Sequence, residues 1–177
     1  MMKKISIPMM VLALLLVTAG LAFANPPESK NFVSPLSGAE EVPVRETNAR
    51  GNAIFHLSSD GSALSYKLIV ANIHNTFAAH IHCGSAGVNG PVGVTLFLGA
   101  PASGRFDGVL AQGTITAPDP GNACGWGTLA EVVDAMRSGN TYVNVHTNDG
   151  IDPPNTGPGD FPGGEIRGQI REAGPTS

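Results

Sequence analysis

Two histidines separated by one residue give the strongest chemical signal in the sequence. His80 and His82 flank Ile81 in a segment that reads as a short β-strand or strand end. On a strand, residues i and i+2 point to the same face with Cα atoms about 6.5–7 Å apart, so the two imidazoles can converge on one ion. His146 lies on a separate predicted strand. If the two strands are neighbours, the three rings form a metal site with one open position, and neutral imidazole suits copper or zinc.

The same histidines also have a purely structural interpretation, which the sequence leaves open. Strand histidines can hydrogen-bond backbone carbonyl groups, and Asn144, two residues before His146, indicates a polar network. His56 and His74 are interpreted as ordinary surface or turn residues, although either can supply a fourth ligand. A metal site and a structural network are therefore competing hypotheses.

Glu165 and Arg167 stand two residues apart on the last predicted strand. Alternation along this strand predicts that Ile166 faces inward and that both charged residues face outward as an exposed ion pair. A second interpretation is that Glu165 lies near the histidines and orients an imidazole by accepting a hydrogen bond. Asn144 is the other candidate for such a supporting contact.

The two cysteines of the chain are Cys83 and Cys124. An even number of cysteines in an exported protein favours a disulfide. Two alternatives remain at this stage: a free Cys83 that binds metal beside His82, and two unpaired thiols.

Alternating apolar residues predict short β-strands through most of the chain. Two alternating runs surround the turn signal Asp60-Gly61 and predict a β-hairpin. A helix of about three turns is predicted after Thr128, which forms a capping box with Glu131. About seven strands at regular spacing predict an all-β fold, an antiparallel immunoglobulin-like or Greek-key sandwich or barrel with one short helix. The principal strand segments are Asn52–Leu57, Leu64–Val70, Pro91–Leu98, Gly108–Thr116, Thr141–Thr147 and Glu165–Arg171, and Asn148–Pro162 is predicted to be an exposed loop.

The N-terminal segment is typical of a cleaved secretory signal. Lys3 and Lys4 precede an apolar run, and Ala22-Phe23-Ala24 places small residues where a signal peptidase cuts. The run is short for a membrane span; an uncleaved anchor is the alternative. We therefore expect a secreted or periplasmic protein with no integral membrane segment after cleavage. The predicted parts are a signal peptide (1–24), a disordered lead-in (25–31), a β domain (32–171) and a flexible tail (172–177).

The charge balance excludes some classes of partner. The chain has 14 acidic and 10 basic residues, with a net charge of −4. Binding to nucleic acid requires clustered lysine and arginine, so no nucleic-acid partner is expected. The sequence also lacks a G-x-S-x-G nucleophile motif, a phosphate-binding glycine loop and an H-E-x-x-H helix.

An ordered set of segments resembles the CHRD domain, and the resemblance extends from about Asn31 to Arg171. It implies an immunoglobulin-like or related β-barrel in an extracytoplasmic setting, without an established biochemical activity for most bacterial members. Cys83 stands where the family more often has glycine, and Asn148–Pro162 is longer than the usual link. The matching segments are Leu36–Pro43, Gly51–Ala53, Ala78–His82, Gly139–Thr147 and Gly163–Gln169.

Two functional hypotheses follow from these patterns. The first is an extracytoplasmic binding module whose partner is an unknown protein or surface polymer, and whose clustered histidines bind a transition metal. The second is a copper/zinc redox metalloenzyme of the superoxide-dismutase type, which also uses a His-x-His strand in a Greek-key barrel. The second rests on analogy of fold, and fold alone does not carry function.

Overall fold

The computed structural model describes residues 28–174 with the exception of 152 and 156. The predicted signal peptide, the first three residues of the predicted lead-in and the last three residues of the predicted tail lie outside this part of the chain. The first strand begins at Asn31, the last residue of the predicted lead-in, and the last strand ends at Glu172, the first residue of the predicted tail.

Nine strands and one α-helix make up the described chain, together with a single 3-10 turn at Gly38–Glu40. In chain order they are β1 (Asn31–Ser37), β2 (Arg50–Leu57), β3 (Leu64–His74), β4 (Thr76–Cys83), β5 (Val92–Leu98), β6 (Arg105–Ile115), α1 (Leu129–Arg137), β7 (Thr141–Thr147), β8 (Ile166–Gln169) and β9 (Arg171–Glu172).

All strands belong to one antiparallel sheet with the order β5-β4-β7-β8-β1-β2-β3-β6, and β9 pairs with β1. The two end strands of this order, β5 and β6, contact each other, and the Tyr66 hydroxyl of β3, the strand beside β6, donates to Leu96 O of β5 at 2.7 Å. The sheet is therefore a nearly closed barrel. The predicted all-β fold with one short helix is confirmed. The described residues form nine strands, whereas the sequence predicted about seven.

Two local predictions are confirmed in detail. The strands on either side of Asp60-Gly61 pair as a hairpin, with Phe55 opposite Tyr66. Thr128 caps α1, since its hydroxyl accepts from Glu131 N at 3.3 Å while the Glu131 carboxylate accepts from Thr128 N at 2.9 Å. The helix buries its apolar face against the barrel. No helix in residues 28–174 that the structure describes is long and apolar enough to span a membrane.

The barrel interior is apolar and is filled by alternate residues of the strands. On β4 and β7 the inward residues are Ala79, Ile81, Val143 and Val145, all fully buried. The residues that alternate with them, among them His80, Tyr142 and Asn144, point to the outside of the barrel. This outer face is polar, and the three histidines lie on it.

The outer face of β4, β7 and β8 is covered by loops, and this overturns the predicted outward ion pair. Glu165 is fully buried and Arg167 is 1% exposed, because the segments 38–49, 84–91 and 157–164 fold over them. The prediction that Asn148–Pro162 is exposed is correct only for the described residues 150, 151, 153–155 and 158. Gly159, Asp160 and Phe161 are buried.

Candidate metal centre

The register between β4 and β7 brings the three predicted histidines to one place. The two strands are antiparallel neighbours, with His80 opposite Asn144 and Ala78 opposite His146. Residues that pair across a sheet share a face, and so do alternate residues along each strand. His80, His82 and His146 therefore all stand on the polar outer face.

The three imidazoles form a compact cluster. One ring nitrogen from each histidine lies within 4.8 Å of the others. His80 Nδ1 and His146 Nε2 are 3.2 Å apart, and the ring centroid of His82 is 5.6 Å from that of His80 and 5.8 Å from that of His146. Small shifts of the side chains would let all three nitrogens contact one ion at the zinc–nitrogen distance of about 2.0–2.1 Å.

Backbone carbonyls fix the protonation pattern of two of the rings. His82 Nδ1 lies 2.9 Å from Gly90 O, and His146 Nδ1 lies 2.8 Å from Pro162 O. A carbonyl oxygen only accepts, so each Nδ1 must carry the proton, and in a neutral ring each Nε2 then carries a lone pair. This arrangement is usual for histidines that bind metal through Nε2.

His82 Nε2 is buried and has no hydrogen-bond partner among the described residues. Its side chain is only 7% exposed, so leaving this nitrogen unpaired has a cost in free energy. An ion held between the three rings would satisfy it.

Burial keeps the cluster neutral. Desolvation, together with the proximity of His146, lowers the pKa of His80 to about 4. Desolvation also lowers the pKa of His82 to about 4 and lowers that of His146. All three rings are therefore neutral at neutral pH, which is the form that binds metal. His80 is the least buried of the three, so access from solvent is on its side.

Glu165 and Asn144 lie in the same buried layer, but their hydrogen bonds go to groups other than the imidazoles. The Glu165 carboxylate accepts from the hydroxyls of Thr47 and Thr147, at 2.5 and 2.7 Å, and from Gly159 N at 2.8 Å. Asn144 Nδ2 donates to Glu41 Oε2 at 3.5 Å. Glu165 thus joins the end of β7 to two covering loops.

Sequence reasoning missed three residues of this layer: Glu41, Tyr142 and Arg167. The Tyr142 ring stacks on His82 with centroids 4.8 Å apart, and the Arg167 guanidinium lies 3.4 Å from the Tyr142 centroid. Tyr142 lies four residues before His146 on β7 and therefore on the same face of the strand. This alternation is the sequence signal that could have identified Tyr142. Nothing in the local sequence of Glu41 or Arg167 indicated burial.

The cysteines form a disulfide, as predicted. Cys83 and Cys124 are bonded, with Cα atoms 5.8 Å apart. The two alternatives, a metal-binding Cys83 thiolate and a pair of free thiols, are therefore wrong. The bond ties the end of β4 to the segment that precedes α1.

The two other histidines lie outside the cluster. His56 pairs with Asn31 through a 2.7 Å contact, and neither His56 nor His74 joins the cluster in the described chain.

Comparison of the sequence with known families identifies the family of this chain. A sequence model of the CHRD domain matches residues 32–170. The chain belongs to the CHRD domain family. No curated protein and no solved structure gives a significant match. The segments that carry the CHRD resemblance supply the three histidines, Asn144, and the buried charged residues Glu41, Glu165 and Arg167.

Proposed function

We propose that this CHRD domain is an extracytoplasmic binding module that holds one transition-metal ion through His80, His82 and His146. The observation that carries the proposal is the convergence of three neutral ring nitrogens, of which His82 Nε2 is buried without a partner among the described residues. Membership of the CHRD family supports an interaction role. Its partner would be a protein or a surface polymer.

The location outside the cytoplasm is supported by the disulfide between Cys83 and Cys124. Structural disulfides persist in oxidising compartments and are rare in the cytosol. A signal peptide over residues 1–24 would provide the export route and remains a prediction.

Copper or zinc is the metal that this donor set suits. The cluster contains three imidazoles and, in the described part of the chain, no carboxylate within the group. Calcium and magnesium prefer oxygen ligands, whereas imidazole suits zinc and copper. Three protein ligands leave a fourth position for water or a partner's side chain.

Calorimetric titration of the metal-free protein with Zn(II) and Cu(II) tests the proposal. We expect one ion per chain for wild type, and at least a tenfold loss of affinity in His82→Ala and in His146→Ala, since each removes one of three ligands. His74→Ala is the matched control, because it removes an imidazole outside the cluster. Equal binding by wild type and all three variants would refute the shared site.

The superoxide-dismutase alternative gains no support from the geometry. A dinuclear copper/zinc site needs a bridging histidine and an aspartate, and the cluster in the described chain offers three histidines alone. Superoxide dismutation by the copper-loaded protein, if it disappeared in His82→Ala, would restore that hypothesis.

A further inference from the structure

The orientation of His82 depends on the short loop between β4 and β5. His82 Nδ1 donates to Gly90 O at 2.9 Å, and this bond leaves Nε2 as the nitrogen available to bind an ion. If Gly90 O moved away, the ring would be free to carry its proton on Nε2 instead, and the lone pair would point out of the site. The position of a single carbonyl group therefore controls whether His82 can act as a ligand.

Tyr142 holds Gly90 directly. Its hydroxyl accepts from Gly90 N at 3.0 Å and lies 3.2 Å from Gly90 O. Its ring also stacks on His82 with only 7° between the two planes. Tyr142 thus contacts both members of the His82–Gly90 hydrogen bond. Gly90 itself lies so close to Cys83 that a Cβ atom would collide with the Cys83 carbonyl, so the loop has little freedom here.

Arg167 holds the rest of the loop from the other side of Tyr142. Its guanidinium donates to Ser85 O at 3.2 Å, to Val88 O at 2.9 Å and to Asn89 Oδ1 at 3.1 Å. Because β7 lies between β4 and β8 in the sheet, Tyr142 is placed between His82 and Arg167. The guanidinium presents its N–H groups as a rigid planar fork on separate nitrogens, whereas the three N–H groups of lysine radiate from a single ammonium nitrogen.

We propose that Tyr142 and Arg167 are positioning residues that hold the loop 84–90 so that Gly90 O fixes His82 with Nε2 directed into the metal site. The inference rests on the proposed function for its consequence, metal affinity, but its structural part applies equally to the metal-free protein. Neither residue belongs to the three-histidine cluster. Both act through the loop carbonyl.

Two conservative variants test the inference. Tyr142→Phe keeps the stacked ring and removes the hydroxyl, and Arg167→Lys keeps the charge and removes the fork of donors. Tyr66→Phe is the matched control, because the Tyr66 hydroxyl also donates to a carbonyl, that of Leu96, away from the cluster. The tautomer of His82 is measured by long-range ¹H–¹⁵N NMR on the folded metal-free proteins, and Zn(II) affinity by calorimetry.

We expect wild type and Tyr66→Phe to hold the proton of His82 on Nδ1. We expect both Tyr142→Phe and Arg167→Lys to populate the Nε2–H form and to bind Zn(II) about tenfold more weakly. An unchanged tautomer in both folded variants would overturn the inference, even if wild type binds metal. A shifted tautomer with no metal binding by wild type would uphold the positioning role and refute the proposed function.

Discussion

Replacement of Glu41 by glutamine probes the buried polar layer through its dependence on pH. Glu41 is 4% exposed, its Oε1 has no hydrogen-bond partner among the described residues, and its Oε2 receives a 3.5 Å contact from Asn144. Burial raises the pKa of Glu41 from 4.5 to about 7, although the nearby guanidinium groups of Arg167 and Arg45 oppose the rise.

The sign of the effect follows from where the proton is bound. Between pH 4.5 and pH 7 the folded chain keeps the Glu41 proton while the unfolded chain has lost it, so the folded state binds more protons. Stability from this group is then fully present below pH 4.5 and is lost as pH rises through 7. With pKa values of 4.5 and about 7, and about 1.4 kcal/mol for each tenfold change in proton affinity, the loss is about 3 kcal/mol.

Glutamine has a similar shape and does not titrate, so Glu41→Gln lacks this loss. We expect the free energy of unfolding of the variant, minus that of wild type, to rise by about 3 kcal/mol between pH 4 and pH 8. The histidines and other titrating groups are common to both proteins and cancel in the difference. Urea denaturation at several pH values measures it, with equal m-values as the check that the unfolding transition is unchanged.

Glu40→Gln is the control for the change of charge, since Glu40 is the adjacent residue and is exposed. We expect its difference from wild type to vary little with pH. If the Glu41→Gln difference is also flat between pH 4 and pH 8, Glu41 does not titrate in a buried site, and the covering of the outer face by residues 38–49 is wrong.

Two substitutions of Glu165 test the contacts that hold the covering loops, and a third variant tests the disulfide. Glu165→Ala leaves the donors of Thr47, Thr147 and Gly159 without their acceptor, and should lower the free energy of unfolding by at least about 3 kcal/mol. Glu165→Gln should cost only about 1 kcal/mol, because its oxygen can keep two donors while the Thr47 hydroxyl rotates to accept; equal losses in thermal or urea unfolding would contradict this account. Joint replacement of Cys83 and Cys124 by alanine should cost about 2–4 kcal/mol in non-reducing urea denaturation, and a loss below about 1 kcal/mol would show that the cross-link adds little.

Much of the fold could be predicted because it depends on local patterns. The hairpin around Asp60-Gly61 needed only alternation and a turn signal, and α1 needed only the capping box of Thr128 and Glu131 with apolar residues at helical spacing. The common face of His80 and His82 followed from the two-residue period of a strand. The disulfide followed from the number of cysteines and the expected compartment.

The error over Glu165 and Arg167 has a specific physical reason. Alternation correctly separated them from Ile166, since the charged pair and the isoleucine lie on opposite faces of the sheet. Exposure of the outer face, however, depends on what covers it. The covering groups come from residues far away in sequence, such as Thr47 for Glu165 and Val88 for Arg167, so no local pattern could reveal the burial.

Local patterns are sufficient to predict a β-rich domain with one short helix and the shared face of His80 and His82, because strand and helix periodicity are properties of neighbouring residues. The position of His146 beside them depends on long-range packing, because it requires β4 and β7 to be adjacent across 66 residues of chain. The tertiary structure also determines which nitrogen His82 and His146 present. The carbonyls of Gly90 and Pro162 that fix the His82 and His146 tautomers are brought there by loops, and a hydrogen bond to a distant backbone atom leaves no signature in local sequence.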